Sequence, residues 1–170
     1  HAEISANAAL VSDYRFRGIS QSNEDFAIQG GFDWGHDNGF YVGTWGSSVD
    51  FDSVVDYAGS LELDVYAGWG TDIGENSSID LGYIYYAYPG DDSGADGNYQ
   101  EIYFNYGWKD LSLGVAYSDD YYGGTGSFWY LQAGYDWGFA ENWTLSLHGG
   151  YNSFSDDAFL SSDKGKYYDY

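Results

Sequence analysis

The sequence predicts an all-β protein: an antiparallel up-and-down transmembrane β-barrel formed as one domain over residues 1–170. Three observations predict it. Apolar and polar residues alternate with a period of two, the connections are alternately short and long, and Trp residues recur beside the short connections. Nine strands and the start of a tenth can be recognised. We expect about 10–12 strands in the full protein.

The first segment, Glu3–Gly18, shows the alternation. One parity holds Ile4, Leu10 and Tyr14, whereas the other holds polar residues such as Asp13. The same pattern defines Phe26–Trp34, Phe40–Ser48, Leu61–Trp69, Ile79–Tyr88, Tyr99–Trp108, Leu111–Ser118, Phe128–Trp137 and Trp143–Tyr151, and a further strand begins at Lys166. The apolar parity is rich in Trp and Tyr rather than in the aliphatic residues of a sandwich core. We therefore expect it to face lipid.

The connections support a membrane barrel. Those after even-numbered strands are short (36–39, 71–77, 109–110 and 138–142), and those after odd-numbered strands are mostly longer. Short turns at one rim and long loops at the other are typical of transmembrane barrels. Five Trp residues lie on the apolar parity close to the short turns, where they predict an interfacial aromatic girdle. They are Trp34, Trp69, Trp108, Trp137 and Trp143.

Composition excludes several classes of protein. The chain has 27 acidic and 5 basic residues and a formal net charge of −22, which disfavours nucleic-acid binding. It has no Cys and therefore no disulfide or thiolate metal site. No segment approaches the roughly 20 apolar residues of a membrane helix. The amino-terminal His1-Ala2-Glu3 fits a mature exported chain.

The polar parity predicts the residues that line the barrel interior. They are Glu3, Asp13, Arg15, Arg17, Gln29, Asp33, Glu62, Asp64, Asp80, Glu101, Asp136 and His148. We expect Arg15 and Arg17 to pair with carboxylates, with Asp33 the first candidate, because isolated cations in a narrow interior are costly. An open passage lined in this way would favour small cations. An interior plugged by ion pairs remains an equal alternative.

The long connections hold 13 of the 27 acidic residues, which we interpret first as a solvated rim. The alternative is that calcium or magnesium bridges their carboxylates to each other or to lipopolysaccharide phosphates. Asp91, Asp92 and Asp96 are the candidate ligands, although the segment lacks the spacing of an EF-hand. No other cofactor is expected.

Two segments carry a resemblance to a known family. SANAALVSDYRFRGISQS (5–22) and AIQGGFDWGHDNGFYVGTWGSSVDF (27–51) closely resemble the TorF-type porin family, also catalogued as the Gcw conserved-hypothetical proteins of Gram-negative bacteria. Weaker similarity continues to YYDY (167–170). The resemblance implies a porin-like barrel in the outer membrane, in contact with lipid and lipopolysaccharide. In that family further strands follow this point, so we expect C-terminal strands to be missing here.

These features predict a non-enzymatic barrel for passive passage of small solutes or ions, with a preference for cations. A self-assembling surface protein, held together by strand pairing between copies, is the alternative. An outer-membrane lipid hydrolase is less favoured because only His1, His36 and His148 could serve a Ser-based site. Ser146 shares a face with His148, but no nucleophile elbow accompanies it.

Overall fold

The computed structural model describes residues 2–51, 59–90, 97–156, 160 and 165–170. These residues form twelve β-strands joined by turns and irregular connections. The strands are β1 Ala2–Val11, β2 Arg15–Phe16, β3 Ile19–Ser20, β4 Ala27–His36, β5 Phe40–Ser48, β6 Leu61–Ile73, β7 Ser77–Ala87, β8 Tyr99–Trp108, β9 Leu111–Ser118, β10 Phe128–Ala140, β11 Trp143–Phe154 and β12 Lys166–Asp169. Within the described residues, no helix is long and apolar enough to span a membrane.

Ten strands form one antiparallel sheet in the order β1-β4-β5-β6-β7-β8-β9-β10-β11-β12. Each strand of this sheet pairs with its sequence neighbours, apart from the separate β2–β3 hairpin. The predicted all-β, antiparallel, up-and-down organisation is therefore confirmed. Strands β1 and β12 are the two edges, and no ladder joins them in the described part of the chain.

The predicted segments agree closely with the observed strands except at the first. The prediction of one strand over Glu3–Gly18 is wrong, because β1 ends at Val11. It is followed by a short hairpin whose strands, β2 and β3, have two residues each. Arg17 and Gly18 form its tip with φ of 48° and 80°, as in the tight turns that match strand twist. Asp13 fixes the bend, since its carboxylate accepts hydrogen bonds from Ser20 Oγ (2.5 Å) and Arg15 Nε (2.6 Å).

The register gives the sheet two unlike faces. On β8, Ile102 lies opposite Tyr83 of β7 and Tyr117 of β9, so the apolar side chains of the three strands lie on the same face of the sheet. We call this the outer face. Its exposed apolar side chains include Ile4, Leu10, Ile28, Phe32, Val42, Leu63, Val65, Leu81, Ile102, Phe104, Leu113, Leu131, Tyr135, Leu145 and Leu147. The opposite, inner face carries the polar parity and is covered at one end by the hairpin.

The buried core lies on the inner face where the long connections meet the sheet. Aromatic rings dominate it: Tyr86 and Tyr99 stack at 4.4 Å between ring centroids, and Phe128 and Phe154 lie 4.7 Å apart. The Tyr121 ring lies 4.2 Å from that of Phe128. This cluster and the hairpin together fill one end of the inner face and leave the middle of the sheet to polar side chains.

Candidate functional site

The β2–β3 hairpin packs against widely separated strands. The Tyr14 hydroxyl donates a hydrogen bond to Glu62 on β6 (2.7 Å), and the Tyr167 hydroxyl on β12 donates to the Arg17 carbonyl (2.9 Å). Strands β6 and β12 are six spacings apart, about 29 Å in a flat sheet, whereas a two-stranded hairpin is about 5 Å wide. The sheet therefore curves around the hairpin, and its inner face is concave.

At the hairpin tip, Arg17 makes a buried ion pair with Glu101 on β8. Its Nη1 and Nη2 atoms donate to the two carboxylate oxygens at 2.6 Å and 2.8 Å. Only 8% of the Arg17 side chain and 2% of Glu101 are exposed. The guanidinium carbon also lies 4.5, 5.1 and 4.4 Å from the ring centroids of Phe16, Phe128 and Tyr130. A bidentate carboxylate and three rings thus surround one planar cation.

More acid than base is buried around this pair. Glu62 and Asp64 lie on the inner parity of β6 and are 2% and 4% exposed. Asp64 interacts electrostatically with Glu62 and Glu101, and its Oδ1 atom has no hydrogen-bond partner among the described residues. Arg17 is the only described basic residue whose side chain is buried. Two further carboxyl groups, besides the Arg17–Glu101 pair, are therefore buried beside the hairpin.

A cavity of about 400 Å³ lies beside the hairpin tip. Both members of the ion pair contribute to its wall, together with polar side chains from the middle of β8 and β10. Those polar residues are Tyr103, Asn105, Tyr130 and Gln132. The volume lies within the range of small-molecule sites, which is about 300–1,000 Å³.

Deeper along the inner face, tyrosines lie flat over glycines of the adjacent strand. A Cβ atom on Gly68 would meet the Tyr41 hydroxyl at 2.3 Å, and one on Gly82 would meet the Tyr103 ring at the same distance. The hydroxyl oxygens of Tyr41 and Tyr103 lie 2.6 Å apart and share a hydrogen bond. The Tyr41 hydroxyl also donates a hydrogen bond to Asp80 (2.5 Å). We call these two tyrosines, together with Tyr66 on β6, the tyrosine layer. It gives the middle of the inner face a polar surface of fixed geometry.

The same arrangement recurs one strand pair away. A Cβ atom on Gly43 would meet the ring of Tyr66, whose hydroxyl donates to Asp33 on β4. The expectation that Asp33 pairs with an arginine is therefore wrong: it accepts from Tyr66, and Arg17 binds Glu101 instead. The change of partner follows from the early end of β1, which moves Arg17 off the strand beside β4.

A third polar group lies where β10, β11 and β12 meet. Asp169 accepts from Asn152 Nδ2 (2.6 Å) and from the Tyr130 hydroxyl (3.2 Å), and its Oδ1 lies 3.0 Å from His148 Nε2. Ser146, on the same face as His148, donates its hydroxyl to Asp136 (2.6 Å). The described hydrogen bonds of this region thus join His148 to Tyr130 and Asp169 rather than to Ser146.

The remaining residues predicted for the interior occupy three settings. Glu3 lies on the inner parity of the exposed edge strand β1, and Gln29 on β4 donates to Ser47 Oγ at 3.4 Å. Asp13 and Arg15 belong to the hairpin region, where Arg15 is exposed and pairs with Asp13. Their placement on the first strand is therefore wrong. The Ser20 hydrogen bond and the Arg15 charge hold the pKa of Asp13 below its ordinary value.

The Trp residues of the predicted girdle lie on the outer face near the short turns. Trp34, Trp108, Trp137 and Trp143 are between 37% and 68% exposed. Trp69 is less exposed, and its indole Nε1 donates to the Asn38 carbonyl in the β4–β5 turn (2.9 Å). A girdle of these residues at the membrane interface stays a prediction.

The predicted ligands Asp91, Asp92 and Asp96 lie outside the described residues. Elsewhere in the described ranges, no group of three or more His, Asp or Glu side chains is arranged to hold a metal ion. In the loop between β9 and β10, burial raises the pKa of Tyr121 to about 12.

The alternation alone did not indicate several residues that form the site. Tyr14 was assigned to the apolar parity, yet it is buried and bonds Glu62. Tyr41, Tyr66 and Tyr103 provide the tyrosine layer, and Asp169 anchors β12. One available signal was the presence of Gly on the inner parity of adjacent strands, where a large ring can lie flat.

Comparison with known proteins gives one result about identity. No curated protein and no solved structure matches the chain. One family model matches residues 1–170, the whole length of the sequence. The chain therefore belongs to the Gcw_chp family, described as bacterial proteins of unknown function.

Proposed function

We propose that this protein is a porin-like barrel of the outer membrane of Gram-negative bacteria, through which small solutes or ions pass, with a preference for cations. The main support is the division of one antiparallel sheet into an apolar outer face and an acidic, hydrogen-bonded inner face. A water-soluble monomer rarely exposes so continuous an apolar surface, whereas lipid would cover it. The resemblance of the first third of the chain to TorF-type porins agrees with this proposal.

The cation preference rests on the inner charges. Asp33 and Asp80 lie in the middle of the inner face, where their partners are neutral Tyr and Asn side chains. Acidic groups along a passage raise the local concentration of cations and lower that of anions. The charge of Arg17 is already neutralised by Glu101.

Planar-bilayer conductance of the full-length protein under a salt gradient tests the proposal. We expect a reversal potential of the sign given by cation preference. The double variant Asp33→Asn and Asp80→Asn should reduce that preference while its side chains still accept hydrogen bonds. Glu75→Gln, which removes one acid in the exposed β6–β7 turn, is the control and should leave it almost unchanged. Anion preference, or no conductance, would contradict the proposal.

A self-assembling surface protein is the second candidate, and it is favoured by the edges of β1 and β12, which no ladder joins among the described residues. Such edges pair readily with another chain. Because the sequence has no Cys, Ala6→Cys on β1 combined with Tyr168→Cys on β12 provides clean attachment points for a bifunctional maleimide. Crosslinking within one chain supports a barrel formed by a single copy, whereas ladders of crosslinked chains support assembly.

A further inference from the structure

The environment of Arg17 has the composition of a ligand site for organic cations. Glu101 receives both terminal guanidinium nitrogens, and three aromatic rings contact the cation. A fully buried carboxylate beside aromatic faces binds guanidinium and ammonium groups through charge-assisted hydrogen bonds and cation–π attraction. We call this set of Glu101, Phe16, Phe128 and Tyr130 the cation seat.

The cation seat opens onto the cavity of the inner face. Arg17, Glu101, Phe16 and Tyr130 all line that cavity of about 400 Å³. The Glu101 carboxylate is 2% exposed while Arg17 occupies it, so a solute inside the cavity would reach it by displacing Arg17. Polar groups of Asn105, on the same strand as Glu101, and of Gln132 on β10 can orient the rest of such a molecule.

A second buried acid near the seat has a carboxyl oxygen that no described residue satisfies. Asp64 is 4% exposed, and its Oδ1 atom has no hydrogen-bond partner in the described part of the chain. It interacts electrostatically with Glu62 and Glu101, and Arg17 is the only buried base among the described residues. A buried acceptor without a partner is costly, and a bound cation would relieve that cost.

Arg17 reaches the seat from the tip of the β2–β3 hairpin, which is anchored by hydrogen bonds from Tyr14 to Glu62 and from Tyr167 to the Arg17 carbonyl. Only two residue pairs connect β2 to β3, and Arg17 has a φ of 48°, a conformation that costs a non-Gly residue about 1–3 kcal/mol. Departure of Arg17 from the seat would allow this backbone strain to relax.

We propose that the cation seat binds solutes bearing a guanidinium or ammonium group, and that Arg17 is an internal ligand which these solutes displace. This inference rests on the proposed function, because it names the solutes that the passage admits. Displacement exchanges one cation for another at Glu101 and forms no covalent bond.

Calorimetric titration of the full-length protein in detergent with ethylguanidinium tests binding without reference to conductance. We expect Arg17→Ala to bind at least about tenfold more tightly than the wild type, because the internal competitor is gone. Adding Glu101→Gln to Arg17→Ala should abolish the binding. Arg15→Ala removes an equal charge from the same hairpin outside the seat and should retain wild-type affinity.

Unchanged affinity in folded Arg17→Ala, or tight binding that survives Glu101→Gln, would overturn the inference. If Arg17→Ala does not fold, Arg17→Lys keeps the charge but cannot form the bidentate pair, and it should also bind more tightly than the wild type. In bilayers, ethylguanidinium should block the sodium current. Binding of ethylguanidinium without any conductance would refute the proposed porin function and support the cation seat. Conductance without binding would support the porin function and refute the seat.

Discussion

The substitution Gly82→Ala probes whether the tyrosine layer is as rigid as its contacts indicate. A Cβ atom at this position would lie 2.3 Å from the Tyr103 ring and hydroxyl, whereas carbon atoms in ordinary contact are about 3.5–4.0 Å apart. The ring must therefore move by more than about 1 Å. Such a shift breaks the 2.6 Å hydrogen bond between Tyr103 and Tyr41.

The expected loss combines two effects. Overpacking costs about 1–3 kcal/mol, and the lost hydrogen bond adds about 0.5–1.5 kcal/mol. We therefore expect Gly82→Ala to lower the free energy of unfolding by about 2–4 kcal/mol. Gly35→Ala is the matched control, because Gly35 also lies on the inner parity but has nothing within 4 Å of its added Cβ. It should be neutral or stabilise by up to about 1 kcal/mol.

Urea unfolding in lipid vesicles, followed by Trp fluorescence, measures both variants. Gly82→Ala should cost little in a Tyr103→Ala background, because the ring that it displaces is then absent. Equal destabilisation by the two Gly variants, or a Gly82→Ala effect independent of Tyr103, would refute the assigned geometry.

Three further perturbations test other parts of the structure. Glu101→Gln leaves a buried guanidinium without its carboxylate and should lower stability by about 3–5 kcal/mol in urea titrations. Phe104→Arg on the outer face should cost about 2–4 kcal/mol during assembly into vesicles, measured as folded fraction, whereas Gln132→Arg on the inner face should cost less. The pKa of Asp13 is lowered by the Ser20 hydrogen bond and by Arg15. Its contribution to stability is therefore complete above the ordinary pKa of 3.8 and is lost as the pH falls through the lower pKa of the folded state. Hydrogen exchange of the hairpin amides should rise only at that lower pH.

Sequence periodicity predicted the sheet well because strand parity and burial agree along most of its length. Leu61, Leu63 and Val65 face outward and alternate with the buried Glu62 and Asp64, as the period of two requires. The strands Tyr99–Trp108 and Leu111–Ser118 have the predicted bounds, because a short turn fixes where each begins or ends. The alternation of apolar and polar residues is sufficient to predict a strand where its two faces have contrasting surroundings.

The hairpin could not be predicted in the same way. Alternation continues through Arg15 and Arg17 although the strand has ended at Val11, since β2 and β3 are extended too. What locates Arg17 is Glu101, 84 residues further along the chain, and no local pattern connects them. The turn-forming Gly18 was the one local indication of a reversal, because a tight hairpin turn favours Gly at its second position.

The two candidate functions differ in what pairs with β1. In lipid, each backbone group without a partner costs several kcal/mol, so an apolar outer face requires satisfied edges. Strands β1 and β12 run antiparallel to each other by their places in the sheet, and β12 already contacts the hairpin through Tyr167. The hairpin thus brings β12 toward the end of β1 within one chain, which favours closure by a single copy. The four residues of β12 can pair with at most four of the ten residues of β1.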